Sequence, residues 1–389
     1  MIGARIRQAR IAAGMSQDEV VAALVVHGRT LTKAGLSKYE RGGSVPKPTM
    51  LRGLANVFGV SADFFMEEPE VGVEWLAFRK ASGLRKSAQE RIKIVAAARA
   101  EAFVTLRQAL EPKWEQPLAP RPRVRTPEQA ETAAEKLRES WRLGTQPIGS
   151  VTSTIEDAGG IVVEAGDPDT FFHGLSGWAK SSTPVVVVNS AASDDRRRFS
   201  LAHELGHLFM EVGECDSKTE ETLAHRFAAA FLVPASTAKR ELGERRRHLE
   251  LRELAMLKLK HGLSMQAWVF RAADLGIVDQ AHARTLFAEF SSRGWRKEEP
   301  VKFEGREQPT RLRQLTVRAL AEGLLSVAQA ERICPDAMQD CTDARPPVTG
   351  SMDARSLIKL PKDERDRLME QAAALVQGDY DTDGVMETE

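Results

Sequence analysis

Two histidines four residues apart, His203 and His207, stand in the stretch RRFSLAHELGHLFM with Glu204 directly after the first. Residues at i and i+4 share one face of a helix, so the two imidazoles can close on a single ion. Neutral imidazole suits Zn2+, which also needs a third protein ligand and an open position for water. A metal of this kind lowers the pKa of its water from about 15.7 toward about 7, and Glu204 is close enough to take the proton. On a surface helix the same letters would be two solvated histidines. Phe199, Leu201, Ala202, Leu205, Leu208 and Phe209 argue against that, because they make the window apolar and its helix buried, and buried histidines need partners. Gly206 costs about 1 kcal/mol relative to alanine in a helix interior, which predicts a close neighbour at that point.

A second helix is expected over 220–232, stopped at Val233-Pro234. Glu220, Glu221 and His225 all lie on it, and metal preference alone admits any of the three as the third ligand. HELGH followed by E-x-x-A-[N/H]-x-F-A and a Leu-Val-Pro ending resembles the ImmA/IrrE metallopeptidases. In that family the first Glu of E-x-x-A is the third zinc ligand, so the resemblance implies Glu221. His225 stands where the family more commonly has Asn. Zn2+ is the one cofactor expected.

The elements that position this helix follow from the rest of the chain. At 389 residues there is room for two or three domains. Lys+Arg and Asp+Glu both number 55, so the whole molecule advertises no polyanionic partner. The balance is local instead: residues 1–66 carry nine basic and four acidic residues, a net of +5. Three cysteines, Cys215, Cys334 and Cys341, make no disulfide framework and fit a reducing, cytoplasmic setting. No signal peptide and no membrane span is visible, so no membrane partner is expected.

Residues 1–68 read as five short helices. Ser16 with Glu19 is a capping box, Thr32 caps a short third helix, and Gly14 and Gly42-Gly43 end helices. Gly14-Met15-Ser16-Gln17, Ser37-Lys38-Tyr39-Glu40-Arg41-Gly42, Pro46 and Leu54-Ala55…Phe58-Gly59-Val60-Ser61 resemble the XRE-type, lambda-repressor-like helix-turn-helix. The turn before the third helix is several residues longer than usual. In that family the third helix enters the major groove. The resemblance therefore turns Lys33, Ser37 and Lys38 outward, with Leu36 and Tyr39 inward and Gln17 at backbone or base. Arg29, Arg41 and Lys47 are expected on phosphates, which position without specifying sequence. Arg10 and Glu40 are expected to pair across helices one and three. A solvated charged face on a protein-binding module is the competing account, and local charge with the motif favours DNA.

Residues 73–111 predict a linker helix, with Ser87 and Glu90 as a capping box and Ile92, Val95, Ala96, Phe103, Leu106 and Leu110 along one face. That face needs cover, either from this chain or from a second copy in a homodimer. Residues 112–126 are proline-rich and read as a semi-rigid linker and the clearest boundary. A zincin-like peptidase core follows over 127–240, with a helix from Thr126-Pro127, a short helix around VTSTIEDAG, and strands at IVVEA, LSGWAK and PVVVVN. Gly174-Leu175-Ser176-Gly177 and Arg198-Phe199 add to the resemblance. Zinc peptidases receive substrate as an added strand at a sheet edge, and LSGWAK or PVVVVN could supply it. His173 could steady an oxyanion or be a plain loop residue. Residues 241–343 read as a helical extension, including a helix pair around His261-Gly262 assigned to the peptidase shell. Residues 344–389 read as a tether with an amphipathic helix and an acidic tail, a form similar to the toxin-binding tails of antitoxins.

The expected fold is thus multidomain and mainly α, with one α+β domain: a helix-turn-helix head, a linker helix, a peptidase core with a small sheet, and a helical C-terminal region. The expected function is a transcriptional regulator binding a double-stranded DNA operator, joined to a zinc endopeptidase that cleaves a repressor-type protein or itself. The rivals are a non-proteolytic regulator and an antitoxin-like regulator whose last helix binds a toxin.

Overall fold

The computed structural model describes residues 2–66, 72–76, 86–114, 119–165, 172, 174–180 and 182–337. The head is formed by α1 (Ile2–Ala12), α2 (Gln17–Val26), α3 (Lys33–Glu40) and α4 (Pro48–Phe58). They close over Ile6, Val20, Leu24, Leu36, Leu54 and Phe65, all fully buried. Ser16 and Glu19 make both bonds of the capping box, and Thr32 accepts from the Gly35 amide at 3.1 Å. The fifth helix of the head is a single 3-10 turn, Asp63–Phe65. Arg10 pairs with Glu40 at 2.5 Å, fastening α1 to α3.

The chain continues through β1 (Val73–Trp75), α5 (Lys86–Leu110), β2 (Arg123–Val124), α6 (Pro127–Ser140), α7 (Val151–Asp157), β3 (Ile161–Ala165), β4 (Gly174–Ala179), β5 (Thr183–Asn189), α8 (Asp194–Phe209), β6 (Glu211–Val212) and α9 (Ser217–Leu232). Among the described residues six more helices follow: α10 (Ala235–Leu242), α11 (Leu251–His261), α12 (Met265–Asp274), α13 (Gln280–Ser292), α14 (Arg311–Ala321) and α15 (Val327–Ile333).

The main sheet has the order β1-β4-β5-β3, with β4 antiparallel to both neighbours and β3 parallel to β5. Alternation sorts its residues onto two faces. Ile161, Val163, Leu175, Val185 and Val187 pack toward α5, whereas Val162, Val186 and Val188 join the larger cluster around α8. Burial on both sides explains the unbroken valine run of β5.

Three sequence expectations are corrected. Residues 73–111 are not one helix: Val73–Trp75 form a strand, α5 is described over Lys86–Leu110, and Ser87 lies within that helix rather than capping it. The prolines at 120 and 122 do not keep residues 123–124 out of regular structure, because a proline keeps its carbonyl. Pro122 O accepts from the Glu211 amide at 2.9 Å, and β2 runs parallel to β6 just past the end of α8. Nor is that stretch a gap between units, since Met1–Ala337 cluster as one. Finally, LSGWAK and PVVVVN are both interior strands, with β1 and β3 as the sheet's edges.

The apolar face of α5 finds its cover within the chain. Ile92, Ala96, Ala100, Phe103 and Leu110 pack on the sheet with Leu315 and Ala319 of α14. Arg99 and Arg107 donate to the carbonyls of Glu164 and Gly159 at 3.1 and 2.8 Å. The other side of α5 meets the head, where Arg7 pairs with Glu90 at 2.6 Å and Arg5 with Glu101 at 3.6 Å. Among the described residues no helix is long and apolar enough to cross a membrane. His173, Cys341 and the expected terminal helix and tail over 344–389 lie outside the described residues.

Candidate metal centre and DNA-facing helix

The HELGH helix, α8, is held at its N-terminal half by buried charge. Arg198 donates to Ile148 O at 2.6 Å and to the Glu307 carboxylate at 2.6 Å. Burial pulls the Arg198 guanidinium below its ordinary pKa, and Glu307 works against that. Lys258 bridges Asp195 and Glu299, 2.9 Å from each. Burial acts to raise the Asp195 carboxyl, but bonds from Ser193 and Lys258 leave it below its ordinary range.

Gly206 has the close neighbour its type predicts. A Cβ there would sit 3.2 Å from the Phe227 ring and 3.4 Å from the Ala224 Cα. The bare backbone lets α9 approach α8, which brings the first turns of α9 beside the two histidines. His203 Nε2 and His207 Nε2 stand 3.3 Å apart. Ligand atoms of His203, His207 and Glu221 all lie within 4.8 Å of one another, a span over which three residues can share one ion. Glu220 points elsewhere, with Oε1 3.3 Å from His207 Nδ1. A carboxylate behind a ligating histidine fixes its ring orientation. His225 is exposed and stacks on Phe199, its ring centroid 4.6 Å from that of His203.

Glu204 is buried beside β4. Ser176 Oγ donates to its Oε2 at 2.7 Å. A Cβ at Gly174 would fall 2.7 Å from Glu204 Oε1, so this strand position has to be glycine for the carboxylate to sit there. Ser176 was not assigned a role from its letters. Only the fold sets a strand serine 28 residues upstream against this carboxylate.

On the head, Leu36 is buried and Tyr39 half-buried, while Lys33 and Lys38 are exposed and Ser37 half-buried. Lys33 reaches Asp18 at 2.6 Å on the surface. Arg29, Arg41 and Lys47 are exposed, and the Arg41 side chain bonds back to Ser37 O. Gln17 gives its amide to Glu40 Oε2 at 2.8 Å, joining the Arg10–Glu40 pair. A base contact from Gln17 would first have to open that bond.

The fold joins a helical head to an α+β core that brings His203, His207 and Glu221 together. Comparison with protein families agrees in both halves: residues 6–65 match the Helix-turn-helix family, and residues 160–273 match the peptidase family described as the IrrE N-terminal-like domain. No match was found among the curated proteins or the solved structures.

Proposed function

We propose that the chain is a DNA-binding transcriptional regulator with a zinc-dependent endopeptidase, acting on a repressor-type protein or on itself. The observation that carries the peptidase half is the convergence of His203, His207 and Glu221 beside the buried Glu204. Two nitrogens each about 2.0–2.1 Å from a tetrahedral ion lie about 3.3 Å apart, and the two Nε2 atoms have that separation. Zinc bound there would polarise the scissile carbonyl and acidify a water. Glu204 takes the proton from the attacking water and returns it to the leaving amine. Ser176 holds the Glu204 carboxylate in place through Oε2, and Glu220 orients the His207 ring through Nδ1.

Zinc titration against a chromogenic chelator tests the ligand set. Glu220→Gln lowers zinc affinity by about 10–100-fold, the usual effect of losing such an orienting partner. Glu221→Gln and His207→Ala lower it further. Wild-type affinity in Glu221→Gln rules out the proposed set.

For the head, the basic balance and the exposed Lys38, Arg29, Arg41 and Lys47 support DNA binding. Lys47→Ala weakens binding to every duplex alike and reduces the salt slope by about 1. Lys38→Ala changes the ranking of duplex sequences as well. Equal losses for both variants across all sequences would remove the base-reading role of α3.

A further inference from the structure

We infer that the outer edge of β4 is a binding site for an extended peptide strand, and that residues 73–76 are its built-in occupant, lying where a substrate strand must lie. The inference rests on the peptidase reading for its purpose, but its observations are separate. β4 is the strand that flanks Glu204, through Ser176 on Oε2 and Gly174 against Oε1. β5 covers one edge of β4. The opposite edge is therefore the nearest place at which a polypeptide can be held beside that carboxylate by main-chain bonds, the usual mode of strand addition.

That edge is occupied by β1. Val73, Glu74 and Trp75 stand opposite Ala179, Trp178 and Gly177 in antiparallel register, and the Leu76 amide donates to Ser176 O at 3.0 Å. Leu76 is thus level with the serine that holds Glu204. Gly177 makes room for this seat. A Cβ on it would come within 2.6 Å of Glu74 O and 3.1 Å of the Trp75 ring, and a glycine within a strand marks close backbone approach. β1 is also the least embedded strand of the sheet. Its three residues are half-buried, exposed and half-buried, whereas β5 is buried almost throughout. Short, poorly buried edge elements sit at the low end of local stability.

The seat states the chemistry of its ligand. Val73 and Trp75 pack on the α5 side of the sheet, Glu74 faces solvent, and Leu76 packs with the cluster around α8. The fitting partner is an extended segment in which branched or aromatic residues alternate with a polar one, with an aliphatic residue level with Glu204. A loop or linker of a folded protein can present this; an intact helix cannot. Since one edge holds one strand, a substrate enters only when β1 leaves.

The test uses the full chain and a dye-labelled synthetic peptide with the sequence of residues 70–78. Leu76–Ser176 is a hydrogen-bonded pair, so Glu74–Trp178, two residues away, is one as well. Glu74→Pro removes that donor without altering a buried side chain, and Trp75→Ala removes the ring lying on Gly177. If β1 leaves its seat open a tenth of the time or less, freeing it raises the apparent affinity for the peptide about tenfold or more. Fluorescence anisotropy should show that gain in both variants. Hydrogen exchange should show the amides of Ser176 and Trp178, which face β1, deprotected in both and protected again when the peptide is added. A peptide with proline at the position of Glu74 should not bind. No gain in affinity, unchanged exchange at Ser176 and Trp178, or binding of the proline peptide overturns the inference. None of these readouts needs metal or hydrolysis, so they stand apart from the outcome for the peptidase.

Discussion

A Glu204→Gln chain keeps its zinc and loses peptide hydrolysis by roughly two to four orders of magnitude, the contribution of a positioned general base. The amide is nearly the same size as the carboxylate, and its oxygen can still accept from Ser176 Oγ, so the fold is expected to be undisturbed. What it cannot do is accept and return a proton. Elemental analysis of the purified variant checks the metal, and processing of the target in cells, read through a reporter on the regulated promoter, checks the chemistry. Unchanged regulation with zinc still bound would mean that proteolysis is not how this protein works. A non-proteolytic regulator would then be the better account. The neighbouring Gly174→Ala should act in the same direction by crowding Oε1, where a Cβ would fall 2.7 Å away.

Glu307→Ala is expected to be the most destabilising single change outside the metal ligands. Glu307 is 0% exposed and Arg198 1% exposed, and the pair is 2.6 Å apart. The same carboxylate accepts from the Val151 and Thr152 amides at 3.1 and 2.8 Å, anchoring the start of α7. Truncation strands a buried guanidinium and two buried donors. Breaking a buried ion pair from one side costs about 3–5 kcal/mol, which lowers the melting temperature by roughly 4–6 °C in a chain of this size. Zinc content should fall in parallel, because Arg198 sits one turn before His203 on α8. Thermal melting of Glu307→Ala against an Arg198→Met, Glu307→Leu double variant separates the stranded charge from lost packing. The double variant should recover the part of the loss due to the stranded guanidinium, but not the part due to the Val151 and Thr152 amides, which lack their acceptor in both variants. Wild-type melting in the single variant would remove this pair from the account of how α8 is held.

The site was legible in its letters to the extent that its chemistry is local. His203, Glu204 and His207 lie within one helical turn, and the glycine between them announced the close approach of α9. β3 and β5 were legible too, because β-branched runs bounded by Pro184, Gly159-Gly160 and Asn189 carry their own signal. Which side chain of α9 lies beside the histidine pair was not decided by letters. Glu220, Glu221 and His225 differ only in the direction each takes from α9, and direction depends on how two helices pack. Strands of two or three residues, β1, β2 and β6, fall below any detectable periodicity, and each is held by a partner distant in the chain. The prolines at 120 and 122 pointed away from pairing, although one of their carbonyls accepts a bond beside the pair. The Ser176–Glu204 and Arg198–Glu307 contacts join residues 28 and 109 apart, and nothing in composition marks which charge meets which.

α5 is 25 residues long, about 37 Å of helix at 1.5 Å per residue, and both of its sides are taken, one by the sheet and the other by α1. If the chain works as proposed, a peptidase centre attached this way would not roam around an operator as it would on a flexible string. It would be carried to a set distance and bearing from the duplex, so occupancy of the DNA would decide which neighbours fall within reach. A regulator bound a helical turn closer or farther would be presented on a different side, and spacing between sites on the duplex would then choose the target as firmly as any amino-acid preference.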